Sequence, residues 1–160
     1  MRIVKELIPY GIIIVVVVLI RTFIITPVKV DGSSMKETLF DKDILLLYKL
    51  SSFDRYDIVV LDEAYDDEII IKRIIGMPGE SVSIKNNKIY VNDEEIDNSF
   101  AYGTTSDYDK ITLGDDEYFI LGDNRLISKD SRYFGPVKKE EIKGKVIFRL
   151  YPFNKIGTIK

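Results

Sequence analysis

The 160-residue sequence contains no cysteine and no histidine. Without cysteine there is no disulfide framework, no thiol nucleophile and no CxxC metal site, so the fold does not depend on a redox compartment. Without histidine, a Ser-His-Asp triad, a Cys-His pair and an imidazole zinc site are all excluded. Any proton transfer must therefore fall to Lys, Asp, Glu or Tyr. A basic stripe is missing too. The net charge is −3 and the cations beyond residue 29 are scattered, which speaks against a nucleic-acid partner. What is present, 46% hydrophobic and 31% charged residues, suffices for one domain with a real core and leaves room for a tether.

Mean hydropathy is zero, but the average covers two unlike segments. Residues 1–29 set Arg2, Lys5, Arg21 and Lys29 against Glu6, a net of +3, and the remainder is −6. From Leu7 to Ile25 nearly every residue is apolar, with Gly11–Ile20 at the centre. Such a run makes a helix of about 28 Å, close to a hydrocarbon core of about 30 Å. A cleavable leader would want a shorter apolar region and a small-x-small exit, whereas this run leaves through Thr26-Pro27-Val28-Lys29. A buried strand pair fits the Ile/Val content, but no turn signal divides the run. Residues 1–27 are therefore expected to form one N-terminal transmembrane helix in a lipid bilayer, with Arg21 snorkelling to the far interface. Flanking cations nearly balance across the span, so charge alone does not orient it.

Residues 28–160 read as mainly β, an antiparallel barrel or sandwich-like domain. Short apolar runs mark strands at Ile44–Tyr48, Ile58–Leu61, Ile69–Ile75, Ser81–Ile84, Lys88–Val91, Tyr118–Leu121 and Val146–Tyr151. Turn signals separate them, among them Met77-Pro78-Gly79, Asn86-Asn87 and Asn92-Asp93. Asn86-Asn87 between two alternating runs is a hairpin signal, because asparagine tolerates positive φ. The polar stretch Asp97–Asp116 is the one long candidate loop. The acidic cluster Asp62, Glu63, Asp66, Asp67 and Glu68 lacks the ligand spacing and glycine of a calcium loop and reads as a solvated turn, so no metal or other cofactor is expected.

Three segments hold residues that can do chemistry. Lys72 lies in Glu68-Ile-Ile-Ile-Lys72-Arg73-Ile-Ile-Gly76, where strand alternation places Ile70 and Ile74 on its face. It is either a charged guard on a sheet edge or a desolvated amine that has lost affinity for its proton. The second role is demanding, since only about 0.1% of an ordinary lysine is neutral at pH 7.4. Ser34, in Val30-Asp-Gly-Ser-Ser34-Met-Lys-Glu-Thr-Leu39, is either a plain turn residue or a nucleophile, and with histidine absent its activating base would be a lysine. Gly122-Asp-Asn-Arg-Leu-Ile-Ser128-Lys-Asp130-Ser-Arg132-Tyr-Phe-Gly-Pro136 is either a self-satisfied corner of Asp–Arg pairs or a loop that orients a catalytic group.

The order of these segments after an N-terminal span closely resembles the type I signal peptidases of bacteria, membrane-bound Ser/Lys serine proteases, and in particular their small Gram-positive members. The resemblance implies that Ser34 is the nucleophile and Lys72 the general base. It implies that Ser128 hydrogen-bonds and orients the lysine amine, and that Asp130 and Arg132 brace the site as a salt bridge. Met35 and Val30 would border the groove for small side chains at positions −1 and −3 of secretory preproteins. The implied location is the cell membrane, with the catalytic domain on the extracytoplasmic side. Three positions differ from, or vary within, the family pattern. Glu37 replaces a proline after the nucleophile, Ile127 replaces an asparagine before Ser128, and Gly32 stands where some members carry an oxyanion-hole hydroxyl. Backbone amides, including that of Ser34, are then expected to stabilise the oxyanion. Two other functions fit the same residues: a signal peptidase dedicated to a few precursors such as pilins, or a catalytically retired, tethered β-domain that assembles surface-protein precursors. Oligomeric state is not legible.

Overall fold

The computed structural model describes residues 2–61 and 69–159, with side chains from Leu7 onward. The acidic cluster 62–68 lies outside the described residues, as do the side chains of Arg2, Lys5 and Glu6. In chain order the elements are α1 (Arg2–Phe23), β1 (Ile25–Lys29), β2 (Ile44–Tyr48), β3 (Ile58–Leu61), β4 (Ile70–Gly76), β5 (Ser81–Lys85), β6 (Lys88–Val91), β7 (Glu94–Glu95), β8 (Tyr108–Thr112), β9 (Glu117–Leu121), α2 (Ser131–Phe134), β10 (Val137–Lys138) and β11 (Ile142–Tyr151). A seven-stranded sheet runs β1-β2-β11-β3-β4-β9-β10 and a four-stranded sheet runs β7-β6-β5-β8. Every pairing between the strands is antiparallel. The fold is thus mainly β, as the turn-punctuated pattern predicts.

Both faces of the large sheet are covered. On β3, Ile58 and Val60 join one apolar cluster with Val28, Met35, Leu45 and Val146, while Val59 and Leu61 join a second with Ile74, Ile120 and Val137. The two-residue period of a strand sorts them. A third cluster seals the small sheet onto the large one, with Val82, Ile84, Ile89 and Val91 against Ile75, Phe119 and Leu121. This arrangement leaves β4 in the interior, paired with β3 on one side and β9 on the other.

Local sequence accounts for most boundaries. Asn86 and Asn87 take φ of 52° and 66°, and Asn92 and Asp93 take 51° and 69°. These are the two-residue turns that join β5 to β6 and β6 to β7. The short strands β7 and β10 fall outside the expected set, and three longer strands depart from the expected pattern for identifiable reasons. The edge strand β1 contains Pro27, tolerated because an edge position leaves one side of the strand without a ladder to donate to. Strand β8 crosses the stretch Asp97–Asp116 expected to be a loop; it is an edge strand whose Asp109 and Lys110 are exposed, so its pattern is polar. Strand β11 begins four residues before Val146, passing through Gly144, where a Cβ would lie 2.4 Å from the Tyr48 carbonyl oxygen. Glycine at such a crossing marks close backbone approach.

Helix α1 occupies the apolar N-terminal run. Among the described residues no helix is long and apolar enough to cross a membrane. From Leu7 to Phe23 all the side chains of α1 are exposed.

Candidate active site

The site begins in the turn between β1 and β2. Gly32, at φ +85°, redirects the chain into a helical turn in which the Thr38 and Leu39 amides donate to the Met35 carbonyl at 3.0 and 2.7 Å. Met35 and Leu39 are buried in the first core cluster, which pins the turn from below and leaves Ser34 half-buried at its surface. The turn closes with Glu37, exposed, at the position of the expected proline. The bonds to Met35 supply the constraint that a proline ring would have given.

A second element grips the same turn from the side. The Asn124 amide donates to the Ser34 carbonyl at 2.9 Å, and Asn124 Nδ2 donates to the Ser33 carbonyl at 3.1 Å. Gly122 is pressed so close that a Cβ there would lie 2.7 Å from the Ser34 carbonyl oxygen and 2.1 Å from Ser128 Oγ. Beneath, Arg73 Nε and Nη2 donate to the two Asp123 oxygens at 2.9 and 2.7 Å, and Thr38 Oγ1 donates to Asp123. Arg73 Nη1 donates to the Tyr56 carbonyl at 2.8 Å, and the Phe100 ring lies 4.0 Å from the guanidinium carbon. Arg73 and Asp123 are wholly buried. One ion pair thus joins β4, the loop after β9 and the Ser34 turn.

Lys72, next to Arg73, brings its amine to Ser34. Its Nζ lies 2.9 Å from Ser34 Oγ and donates to the Ile71 carbonyl at 3.0 Å. The strand is interior and Lys72 is only 4% exposed, so it is not a guard on a sheet edge. Burial pushes its amine from 10.5 down to about 8, against the pull of the Asp130 and Asp123 carboxylates. At about 8, roughly 20% of the amine is neutral at pH 7.4, against about 0.1% for an ordinary lysine.

The remaining expected residues fall behind Lys72. Arg132 Nε and Nη2 donate to Asp130 at 2.8 and 2.9 Å, and Asp130 accepts the Gly122 amide at 3.0 Å while capping α2. Arg132 also reaches the carbonyls of Arg125 and Ser128. Ser128 is buried, and its Oγ has no hydrogen-bond partner. The bond to the Lys72 amine implied by the resemblance is therefore not formed in this structure. Its hydroxyl instead packs on Gly122.

A cleft of about 810 Å³ opens beside Ser34, with Val30, Met35, Ile69, Lys72 and Ile127 in its walls. Val30 and Met35, both buried, contribute to its lining. The Gly32 amide donates to Asp41 at 3.3 Å, whereas among the described residues the Ser34 amide is not spent on another acceptor.

Sequence reasoning did not assign Arg73, Asp123, Asn124 or Phe100 to the site. Arg73 carried a usable signal, since a guanidinium within a run of isoleucines must find a buried partner. Phe100 carried none, because its role arises only when the loop folds over β4.

Known proteins resemble this chain along most of its length. The family described as signal peptidase, peptidase S26 matches residues 3–151. A signal peptidase I of Bacillus amyloliquefaciens is 37% identical over 92% of this chain and 87% of its own. A signal peptidase I of Streptococcus pneumoniae serotype 4 is 34% identical over 86% and 88%. The crystal structure of a signal peptidase I from Enterococcus faecalis V583 superposes with a TM-score of 0.54 at 29% identity, covering 60% of this chain and 97% of that one. An imidazole-free sequence with its lysine amine against a serine hydroxyl thus belongs to the signal peptidase family, peptidase S26.

Proposed function

We propose that this chain removes signal peptides from secretory preproteins at a membrane surface, with Ser34 as nucleophile and Lys72 as general base. The observation that carries the reading is the 2.9 Å approach of the Lys72 amine to Ser34 Oγ in a setting that holds the amine at about 8. The neutral amine takes the hydroxyl proton as Ser34 Oγ bonds to the scissile carbonyl carbon. The tetrahedral oxyanion is met by the free Ser34 amide. As the C–N bond breaks, the Lys72 ammonium returns the proton to the leaving amine, and the mature protein departs. Water then attacks the ester, its proton passing to Lys72 and back to Ser34 Oγ, which releases the signal peptide as a carboxylate.

In this scheme Met35 and Val30 border the positions for the small −1 and −3 side chains. Asp130 and Arg132 hold the loop that backs the lysine. We assign Ser128, whose buried hydroxyl is unpartnered, as the hydroxyl that takes up the lysine amine once acylation removes the Ser34 partner. Helix α1 is assigned as the membrane anchor, with the β-domain on the extracytoplasmic side. Nearly every residue from Leu7 to Ile25 is apolar, and the α1 side chains from Leu7 to Phe23 are exposed and not packed into a core, a character suited to lipid. Tethering keeps the site where signal sequences end, so positioning is partly prepaid.

The test is cleavage of a preprotein bearing an Ala-x-Ala site by wild type, Ser34→Ala and Lys72→Ala. Each variant should lose at least about 10²–10⁴-fold in rate. Wild-type turnover by either one rejects the assignment.

A further inference from the structure

Next to Ser34, outside the lining of the cleft, lies a surface with its own character. Lys36 is two residues past Ser34, which keeps the two Cα atoms within about 7 Å. Its ammonium lies 5.3 Å from the centroid of the Tyr102 ring, and among the described residues it forms no ion pair. Tyr102 is tied to the site, its amide donating to the Asp123 carbonyl at 2.7 Å and its carbonyl accepting the Arg125 amide at 2.9 Å. Its bridge partner is Asn124, the residue that holds the Ser33 and Ser34 carbonyls. Leu126 lies on Gly103, where a Cβ would come within 2.4 Å of Leu126 Cγ. Tyr102 and Leu126 are 40% and 59% exposed, and neither they nor Lys36 lines the cleft.

We propose that Lys36, Tyr102 and Leu126 form a subsite for the first residues of the mature protein, selecting an acidic side chain at the second or third position after the cleaved bond. The inference rests on the peptidase reading and extends it to the product side. An extended peptide advances about 3.4 Å per residue, so the second or third position after the bond has the reach to meet Lys36. The chain beyond residue 29 carries a net charge of −6, so an acidic segment is repelled by the domain at large and attracted at this cation. The ring and Leu126 receive the aliphatic part of the side chain while its carboxylate meets the ammonium.

The experiment uses the full chain in detergent and two peptide series with one Ala-x-Ala sequence, carrying Asp or Lys at the second and third positions after the bond. Wild type should cleave the Asp series about two- to five-fold faster in kcat/KM, with the gap closing in 1 M salt. Lys36→Glu should reverse the order and Lys36→Gln should abolish it, the second variant covering a folding defect in the first. Lys85→Glu, the same charge change on the four-stranded sheet, should leave the ratio as in wild type. Equal rates for the two series, a ratio that survives both Lys36 variants, or an acid preference confined to residues before the bond would overturn the subsite. Failure to cut either series would overturn the peptidase reading itself.

Discussion

At Lys72 the needs of chemistry and of stability diverge. Burial holds its amine at about 8 from an ordinary 10.5. Below pH 8 both folded and unfolded chains carry the charge, and keeping it buried costs about 3 kcal/mol. Between 8 and 10.5 the unfolded chain binds more protons, so stability rises with pH, and above 10.5 the penalty is gone. Lys72→Met should therefore stabilise the protein by about 2–3 kcal/mol at pH 7, with the gain fading by pH 10.5. Urea unfolding at both pH values measures this, and a methionine variant weaker than wild type at pH 7 contradicts it. With Lys72 as the proposed base, catalysis should follow the same titration. From pH 6 to 7 kcat/KM should rise about ninefold, from pH 7 to 8 about fivefold, and it should level off above about 9; a flat profile would exclude Lys72 as the base. Gly122 is the second sensitive residue. In Gly122→Ala the new methyl must displace Ser128 or the Ser34 carbonyl, so kcat should fall by about 10²-fold, with KM little changed. Steady-state kinetics on the purified variant decide.

Among the elements, the Arg73–Asp123 pair holds separate parts of the chain in register. It links β4, the loop after β9 and the Ser34 turn while wholly buried. Asp123→Ala would strand a buried guanidinium and should cost about 3–5 kcal/mol, whereas Arg73→Met with Asp123→Leu should cost much less. Denaturant midpoints compare the two. Strand β6 is legible in the sequence through its alternation, and β2 and β3 through short unbroken apolar runs bounded by polar residues. Strands β1 and β8 are not, since an edge position admits Pro27 in one and charged side chains in the other, and such tolerance erases the periodic signal. The site divides in the same way. Ser34 and Lys72 could be nominated from chemistry, histidine being absent, but only the sheet brings together residues 38 positions apart. Asn124, Tyr102 and Phe100 act through backbone bonds and ring contacts that form in the tertiary fold, which leave no mark on local composition.

For the whole molecule, an apolar helix joined to an acidic domain predicts a division of labour. The intact chain should sediment with membranes, and a chain lacking residues 1–24 should not. That shortened chain should cleave short peptides within about threefold of wild type while losing its advantage on membrane-inserted preproteins. Parallel assays on the two substrates check this, and equal losses on both would mean that α1 supports the domain itself. The interior position of β4 has a further consequence. The low proton affinity of Lys72 exists only after β3 and β9 have closed on either side of it. A nascent chain carries an ordinary lysine, about 0.1% neutral at pH 7.4, and the folded chain about 20%. Folding thus raises the neutral fraction of this amine roughly two-hundredfold, so under the proposed mechanism Ser34 gains a partner able to activate it only once the sheet has closed.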